Sequence, residues 1–164
     1  MSESQIQNFN HLKIHSQYSI CEGAVKIDDL KDFYKDNTTR ALGLSDTSNL
    51  CGALEFAEKL SKAGVQPIIG TQIKFKHNDT IGLVPLFALT ENGYKKIIEL
   101  SSLSYLNNNE TNEPYLNFSE LLKPSNGVSL FSGSFNGLFG QLFKKGKFKE
   151  IEKLYLELKS IYKD

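Results

Sequence analysis

Phe9–Ser19 (FNHLKIHSQYS), Gly43–Phe56 (GLSDTSNLCGALEF) and Ala63–Ile73 (AGVQPIIGTQI) are the stretches whose reading decides the fold. Along an extended strand, residues two apart share a face. A first strand over Phe9–Ile14 therefore sends His11, Lys13 and His15 one way and turns Leu12 and Ile14 into a core. A second strand is expected at Arg40–Ser45, followed by Thr47, Ser48 and Asn49 as candidate caps for a helix over Leu50–Ala63. Ala53, Leu54, Ala57 and Leu60 are the expected buried stripe of that helix. Glu55/Lys59 and Glu58/Lys62 are i,i+4 pairs on its wet side, and Gly64 supplies the stop. The third strand, Val65–Phe75, carries Pro67, which belongs at its start because proline cannot donate to a central ladder.

Outward from this core the alternation continues. A helix is predicted near Ile27–Tyr34, a turn at His77, Asn78 and Asp79, and a strand at Ile81–Leu89 whose Pro85 places it at the rim. Gly93–Leu103 reads as helix, Asn107–Pro114 as a polar loop, Phe118–Leu122 as a short helix and Val128–Phe131 as a strand. Phe148, Ile151, Tyr155, Leu158 and Tyr162 recur at helical spacing in the last element. Strands alternating with helices argue for βα units and a largely parallel sheet, in the α/β class. About four or five strands are too few for a closed α/β barrel, which typically takes about 250 residues. The expectation is a partial barrel with an open strand edge, a pairing liability unless something covers it.

Composition narrows the function classes. With 164 residues, 40% apolar and 23% charged, the chain has the make-up of a globular domain with one sizeable core. Nineteen basic and nineteen acidic residues cancel, so it lacks the strong basic footprint of a domain held mainly by phosphate contacts. Residues 1–8 (MSESQIQN) read as a polar tail without a basic leader, and the longest apolar run, Leu83–Leu89, is too short to span a bilayer. A cytoplasmic setting is expected. Cys21 and Cys51 have no metal-site spacing and read as plain small residues.

HLKIHSQYS, GLSDTSNLCGALEF and AGVQPIIGTQI, followed by LVPLFALTENGYKKIIELSS (83–102) and NGVSLFSGSFNG (126–137), resemble in content and order the N-terminal polymerase-and-histidinol-phosphatase (PHP) domain of bacterial DNA polymerase III alpha subunits. The resemblance runs from about Phe9 to Gly140 and assigns 9–164 to one domain, a partial distorted (β/α) barrel of the PHP type, incomplete at its C-terminal end. It implies a metal cluster at the strand ends, beginning with His-x-His on the first strand, Asp-His after the second and Glu after the third. Those places hold Lys13 and His15, Asp46 and Thr47, and Gln72. An ammonium at Lys13 has no lone pair and brings positive charge where a cation would sit; at about 4 Å and an effective dielectric near 20 each unit of like charge costs on the order of 4 kcal/mol. Thr47 is a weak neutral donor, and Gln72 keeps the shape of Glu without its charge. The site is expected to be degenerate, with neither a metal nor a catalytic residue.

The resemblance further implies a parent enzyme that synthesises DNA with Mg2+ through carboxylates in a distant palm domain. Its implied partners are the rest of the alpha subunit and the proofreading exonuclease subunit epsilon, with DNA met only through the parent and no membrane contact. The alternative is a free-standing, histidinol-phosphatase-like PHP phosphoesterase using a metal-activated water, against which Lys13, Thr47 and Gln72 all speak. Taken singly, the residues also have plainer readings. His15 and His11 read as structural histidines, His77 as solvated, and Asp46 as either a helix cap or a member of a polar cluster. Ser132–Ser134 lack a phosphate-loop pattern, and Lys144, Lys145, Lys147 and Lys149 read as a solvated basic face. If Lys13 takes the place of a lost metal, it is expected to pair with Asp46.

Overall fold

The computed structural model of the chain describes residues 9–35, 39–106, 113–123 and 126–162, so the polar tail and most of the polar loop lie outside the described residues. The elements are α1 (Ile27–Lys35), β1 (Ala41–Thr47), α2 (Ala53–Lys62), β2 (Gln66–His77), β3 (Thr80–Ala88), α3 (Glu91–Leu106), β4 (Leu116–Asn117), a 3-10 turn (Phe118–Glu120), β5 (Val128–Leu130), α4 (Leu138–Lys144) and α5 (Phe148–Ile161). The strands make one open sheet in the order β1-β2-β3-β5, with β4 also paired to β2.

β2 organises the sheet because it is twelve residues long and serves three neighbours. Its first part pairs in parallel with β1, from Ala41↔Gln66 to Thr47↔Gln72, and Phe75 and Lys76 pair with β4. β3 lies antiparallel on the other edge, from His77↔Thr80 to Gly70↔Phe87. The sheet is therefore mixed, not largely parallel as the alternation of elements predicts. The cause is local: Asn78, at φ +53°, and Asp79 form a two-residue hairpin turn, and a hairpin can join only antiparallel strands.

Pro85 does not put β3 at the rim, because β5 pairs along its far side. Phe131 N–H donates to Pro85 O at 3.0 Å, and proline has no N–H to return that bond. The ladder stops there, so the missing donor limits β5 and leaves β3 inside the sheet. The first segment also departs from expectation. Phe9–Ile14 forms no continuous strand; Gly43 N–H reaches His11 O at 2.7 Å, Ser45 N–H reaches Ile14 O at 2.8 Å, and the one ladder bridge is Ile14↔Leu44. Three residues here answer to two on β1, the signature of a bulge that interrupts the alternation. Phe9 and His11 stack edge to face with ring centres 4.7 Å apart, while Lys13 and His15 line a common pocket.

Two apolar clusters hold the helices on one face of the sheet, the face of Ile69, Ile73 and Phe75. The smaller joins Ile27, Leu30 and Tyr34 of α1, Leu42 and Leu44 of β1, and Phe56 and Leu60 of α2. Leu54 is 71% exposed, so the expected stripe of α2 is rotated toward Ala53, Phe56 and Leu60. The α2 N-cap is Gly52, with no side-chain cap; Asn49 instead accepts from Cys51 N–H at 3.0 Å in a turn ahead of the helix. Gly64, at φ +77°, ends the element as expected. The larger cluster joins Ile73, Phe75, Val84 and Leu86 to Ile97 and Leu100 of α3 and to Leu138, Leu142, Leu154 and Leu158 of α4 and α5. Each such buried side chain contributes about 1.5–3 kcal/mol of transfer free energy. In α5, Leu154 and Leu158 are buried, whereas Phe148 and Tyr155, both assigned to the stripe, are more than half exposed.

Candidate functional site

The parallel register places Thr47, at the C-terminal end of β1, beside Gln72 in the middle of β2, on the sheet face away from Ile73. Gln72 Nε2 donates to Thr47 Oγ1 at 2.7 Å, and Thr47 Oγ1 in turn donates to Glu22 of the loop before α1. A pocket of about 330 Å³ opens over this pair, lined by Lys13, His15, Glu22, Gln72, Pro85 and Ser134 among others. Four of the five places assigned to the metal cluster thus meet: Lys13, His15 and Gln72 line the pocket, and Thr47 bonds to Gln72. The fifth, Asp46, is the strand neighbour of Thr47 and turns to the other side.

Asp46 is 1% exposed and holds no pair with Lys13, contrary to expectation. Its Oδ1 accepts from Ser16 N–H and Ser19 Oγ, and its Oδ2 from Ser16 Oγ, each at 2.7 Å. The turn formed by Ser16–Glu22 brings these donors to the carboxylate, so no ammonium is needed to compensate it. Lys13 remains exposed at the pocket mouth. Asp46 belongs to a polar cluster; it does not cap α2.

Ser19 links the two halves of the site. It donates to Asp46, accepts from Thr47 N–H at 3.0 Å, and lies 3.5 Å from His15 Nδ1. Because its single hydroxyl proton is used on Asp46, the long contact with His15 is satisfied when Nδ1 carries a proton. Nε2 then faces the Gln72 amide nitrogen, also at 3.5 Å, as an acceptor. Gln72 is 2% exposed, yet its Oε1 has no hydrogen-bond partner among the described residues. The loop is tied down from outside as well. Tyr18 OH donates to Glu55 at 2.8 Å and Asn49 Nδ2 to Tyr18 O at 3.0 Å. The Lys59 ammonium, 2.6 Å away, and then the Tyr18 bond hold the Glu55 carboxyl below its usual range, and that carboxylate pushes the Tyr18 phenol up.

This donor set does not fit a divalent cluster. Both Asp46 oxygens are engaged by hydrogen bonds from Ser16 and Ser19, Thr47 and Gln72 are neutral and bonded to each other, and Lys13 adds positive charge at the mouth. Among the described residues, no three His, Cys, Asp or Glu side chains converge as a metal site would need. Ser16, Ser19 and Glu22 were missed in the sequence reading. Their one signal was proximity to His15, since hydrogen bonds made by a turn leave no periodicity. Of the other sequence candidates, Gly133 and Ser134 line the same pocket, whereas His77 is 3.6 Å from Glu150 and Lys145 and Lys147 bind Asp79.

The open α/β sheet with a polar pocket beside the end of β1 and over the middle of β2 and β3 is a mixed α/β architecture, and sequence comparison gives its class: the PHP domain family profile matches residues 11–164, and the chain belongs to that family. More particularly, it is similar to DNA polymerase III subunit alpha of Caulobacter vibrioides, 34% identical over 177 residues, covering 100% of this chain and 15% of that protein. The Borreliella burgdorferi subunit is 33% identical and covers 94% of this chain and 14% of its own length. The chain thus spans about one seventh of the curated relatives it matches. Among solved structures, a protein of Bifidobacterium adolescentis described as a "putative metal-dependent phosphoesterase" aligns over 94% of this chain and 56% of its own, with a TM-score of 0.47 and 13% identity.

Proposed function

We propose that the chain is the PHP portion of a DNA polymerase III alpha subunit, and that it supports the fold of that subunit and docks the proofreading exonuclease subunit epsilon instead of performing chemistry. The observation that carries this reading is Asp46, locked into three hydrogen bonds from Ser16 and Ser19 within a chain whose whole length matches alpha subunits. A carboxylate so engaged serves the loop and not a metal. In this reading DNA-templated synthesis, its Mg2+ and its DNA contacts belong to the rest of the subunit, which acts in the cytoplasm. Among the described residues, no helix is long and apolar enough to cross a membrane. A free-standing phosphoesterase is disfavoured by the same carboxylate and by Lys13 at the pocket mouth.

The reading is tested by pull-down of epsilon with the full subunit and with a version lacking residues 1–164. Deletion is expected to abolish or strongly weaken capture. Undiminished epsilon binding by a folded deletion variant contradicts the docking role.

A further inference from the structure

The neutral net charge of the chain hides a segregated one. All nineteen acidic residues lie outside residues 121–149, and that run holds five lysines, four of them between positions 144 and 149. The run is aromatic as well, with Phe131, Phe135, Phe139, Phe143 and Phe148 recurring through it. The fold gathers its last part onto one surface. α4 closes with Gly146 N–H on Phe143 O at 2.9 Å and Lys147 N–H on Leu142 O at 3.0 Å, and Gly146 takes φ +68°, where a side chain would be strained. The chain turns there into α5, so Phe148 meets Phe143 edge to face with ring centres 5.3 Å apart. Lys144 Nζ stands 4.0 Å from the ring centre of Phe135. Phe135, Phe143 and Phe148 are each more than half exposed, although rings of this size are ordinarily spent on cores or interfaces.

The charges around these rings are unequally committed. Lys145 and Lys147 share Asp79, and Glu150, the first acid after the run, turns to Lys147 and His77. Lys144 and Lys149 are exposed and form no ion pair among the described residues. Two free ammonium groups beside open rings complement a ligand that carries repeated negative charge and flat apolar faces together. We propose that the α4–α5 corner binds single-stranded nucleic acid, with bases stacked on Phe143 and Phe148 and phosphates held by Lys144 and Lys149. This goes beyond the docking reading, which leaves the DNA contacts of synthesis to the rest of the subunit, and it needs neither epsilon nor a metal. A duplex fits the corner less well, because its bases are stacked on one another and closed to the rings. An acidic peptide supplies the charge without the flat faces. Every base has such a face, so binding is expected to be indifferent to sequence.

The test is fluorescence anisotropy of a labelled dT oligomer of about 12 nucleotides titrated with the chain at low salt. Saturable binding is expected, with a Kd of about 1–100 μM and a log–log salt slope of about −1.4, the value for two phosphates at about 0.7 each. A duplex of the same length is expected to bind about 10-fold more weakly or worse. Phe148→Leu keeps an apolar side chain at an exposed position and is expected to weaken binding about 10-fold at an unchanged melting temperature. Lys144→Gln and Lys149→Gln are each expected to bring the slope toward about −0.7, and Lys62→Gln, on the wet side of α2, to leave it unchanged. No saturation up to about 1 mM, a duplex bound as tightly as the single strand, or full affinity in Phe148→Leu overturns the proposal. So does displacement of the oligomer by poly-glutamate as readily as by unlabelled dT, which identifies an acidic peptide as the occupant. If Phe148→Leu lowers the melting temperature, the unmodified chain decides: amide NMR shifts on adding dT are expected to centre on residues 143–149, and shifts centred elsewhere overturn the assignment. The epsilon pull-down tests the earlier reading separately, since this binding is measured on the chain alone.

Discussion

Asp46 and Lys13 have opposite importance to the fold. Asp46→Ala leaves the Ser16 amide, the Ser16 hydroxyl and the Ser19 hydroxyl without their acceptor in a buried site. At about 1–3 kcal/mol for each group left unpaired, the loss is expected to be about 3 kcal/mol or more in urea denaturation. Lys13→Ala, at an exposed position without an ion-pair partner in the pocket, is expected to change stability by no more than about 0.5 kcal/mol. A large loss in the Lys13 variant would mean that the ammonium does compensate a buried carboxylate. What was legible at this scale was residue chemistry, since Lys13, Thr47 and Gln72 declare by residue type what they cannot ligate. What was hidden was the replacement network, because it depends on how the turn at Ser16–Glu22 folds back over β1.

At the scale of elements, two contacts position the site and the hairpin opposite it. A Cβ at Gly43 would lie 2.4 Å from Leu12 O, so β1 and the segment carrying Lys13 and His15 approach each other only because residue 43 has no side chain. Gly43→Ala is expected to destabilise the protein by about 1–3 kcal/mol and to shift the NMR signals of His15, a change that a substitution on the outer face of α2 would not cause. The second contact clips the hairpin turn to the α4–α5 junction. Lys147, at 2.6 Å, and Lys145, at 3.3 Å, hold the Asp79 carboxyl well below its usual range. A carboxylate whose folded pKa is depressed contributes stability above its unfolded value, about 3.9, and loses it as pH falls toward the lowered one. Asp79→Asn is therefore expected to lower the melting temperature slightly at pH 6 and to have less effect as the pH is taken below about 4, checked by parallel melts. A deficit that grows in acid would contradict the assignment. The turn itself was legible from His77–Asp79, but its consequence, an antiparallel β3 in a mixed sheet, was overlooked because helix and strand alternation does not encode strand direction.

For the whole molecule, periodicity located most elements, including the helix Gly64 ends and the strands β1, β2, β3 and β5, but it passed over the two-residue β4 and put a strand at Phe9–Ile14, where no continuous one forms. It failed where tertiary packing chose the face. Leu54 and Phe56 differ by two positions, and only contact with β1 and α1 decides which is buried. It failed again in α4, whose seven residues are too few to show a helical period. The central claim is that this PHP domain keeps its scaffold while the pocket over Gln72 has exchanged metal chemistry for hydrogen bonds among its own side chains. Calorimetric titration of the chain with zinc and with manganese tests that claim most directly. The account predicts no binding at micromolar or tighter affinity for either ion, with His15→Ala indistinguishable from the unmodified chain; a stoichiometric micromolar site that His15→Ala abolishes would contradict it.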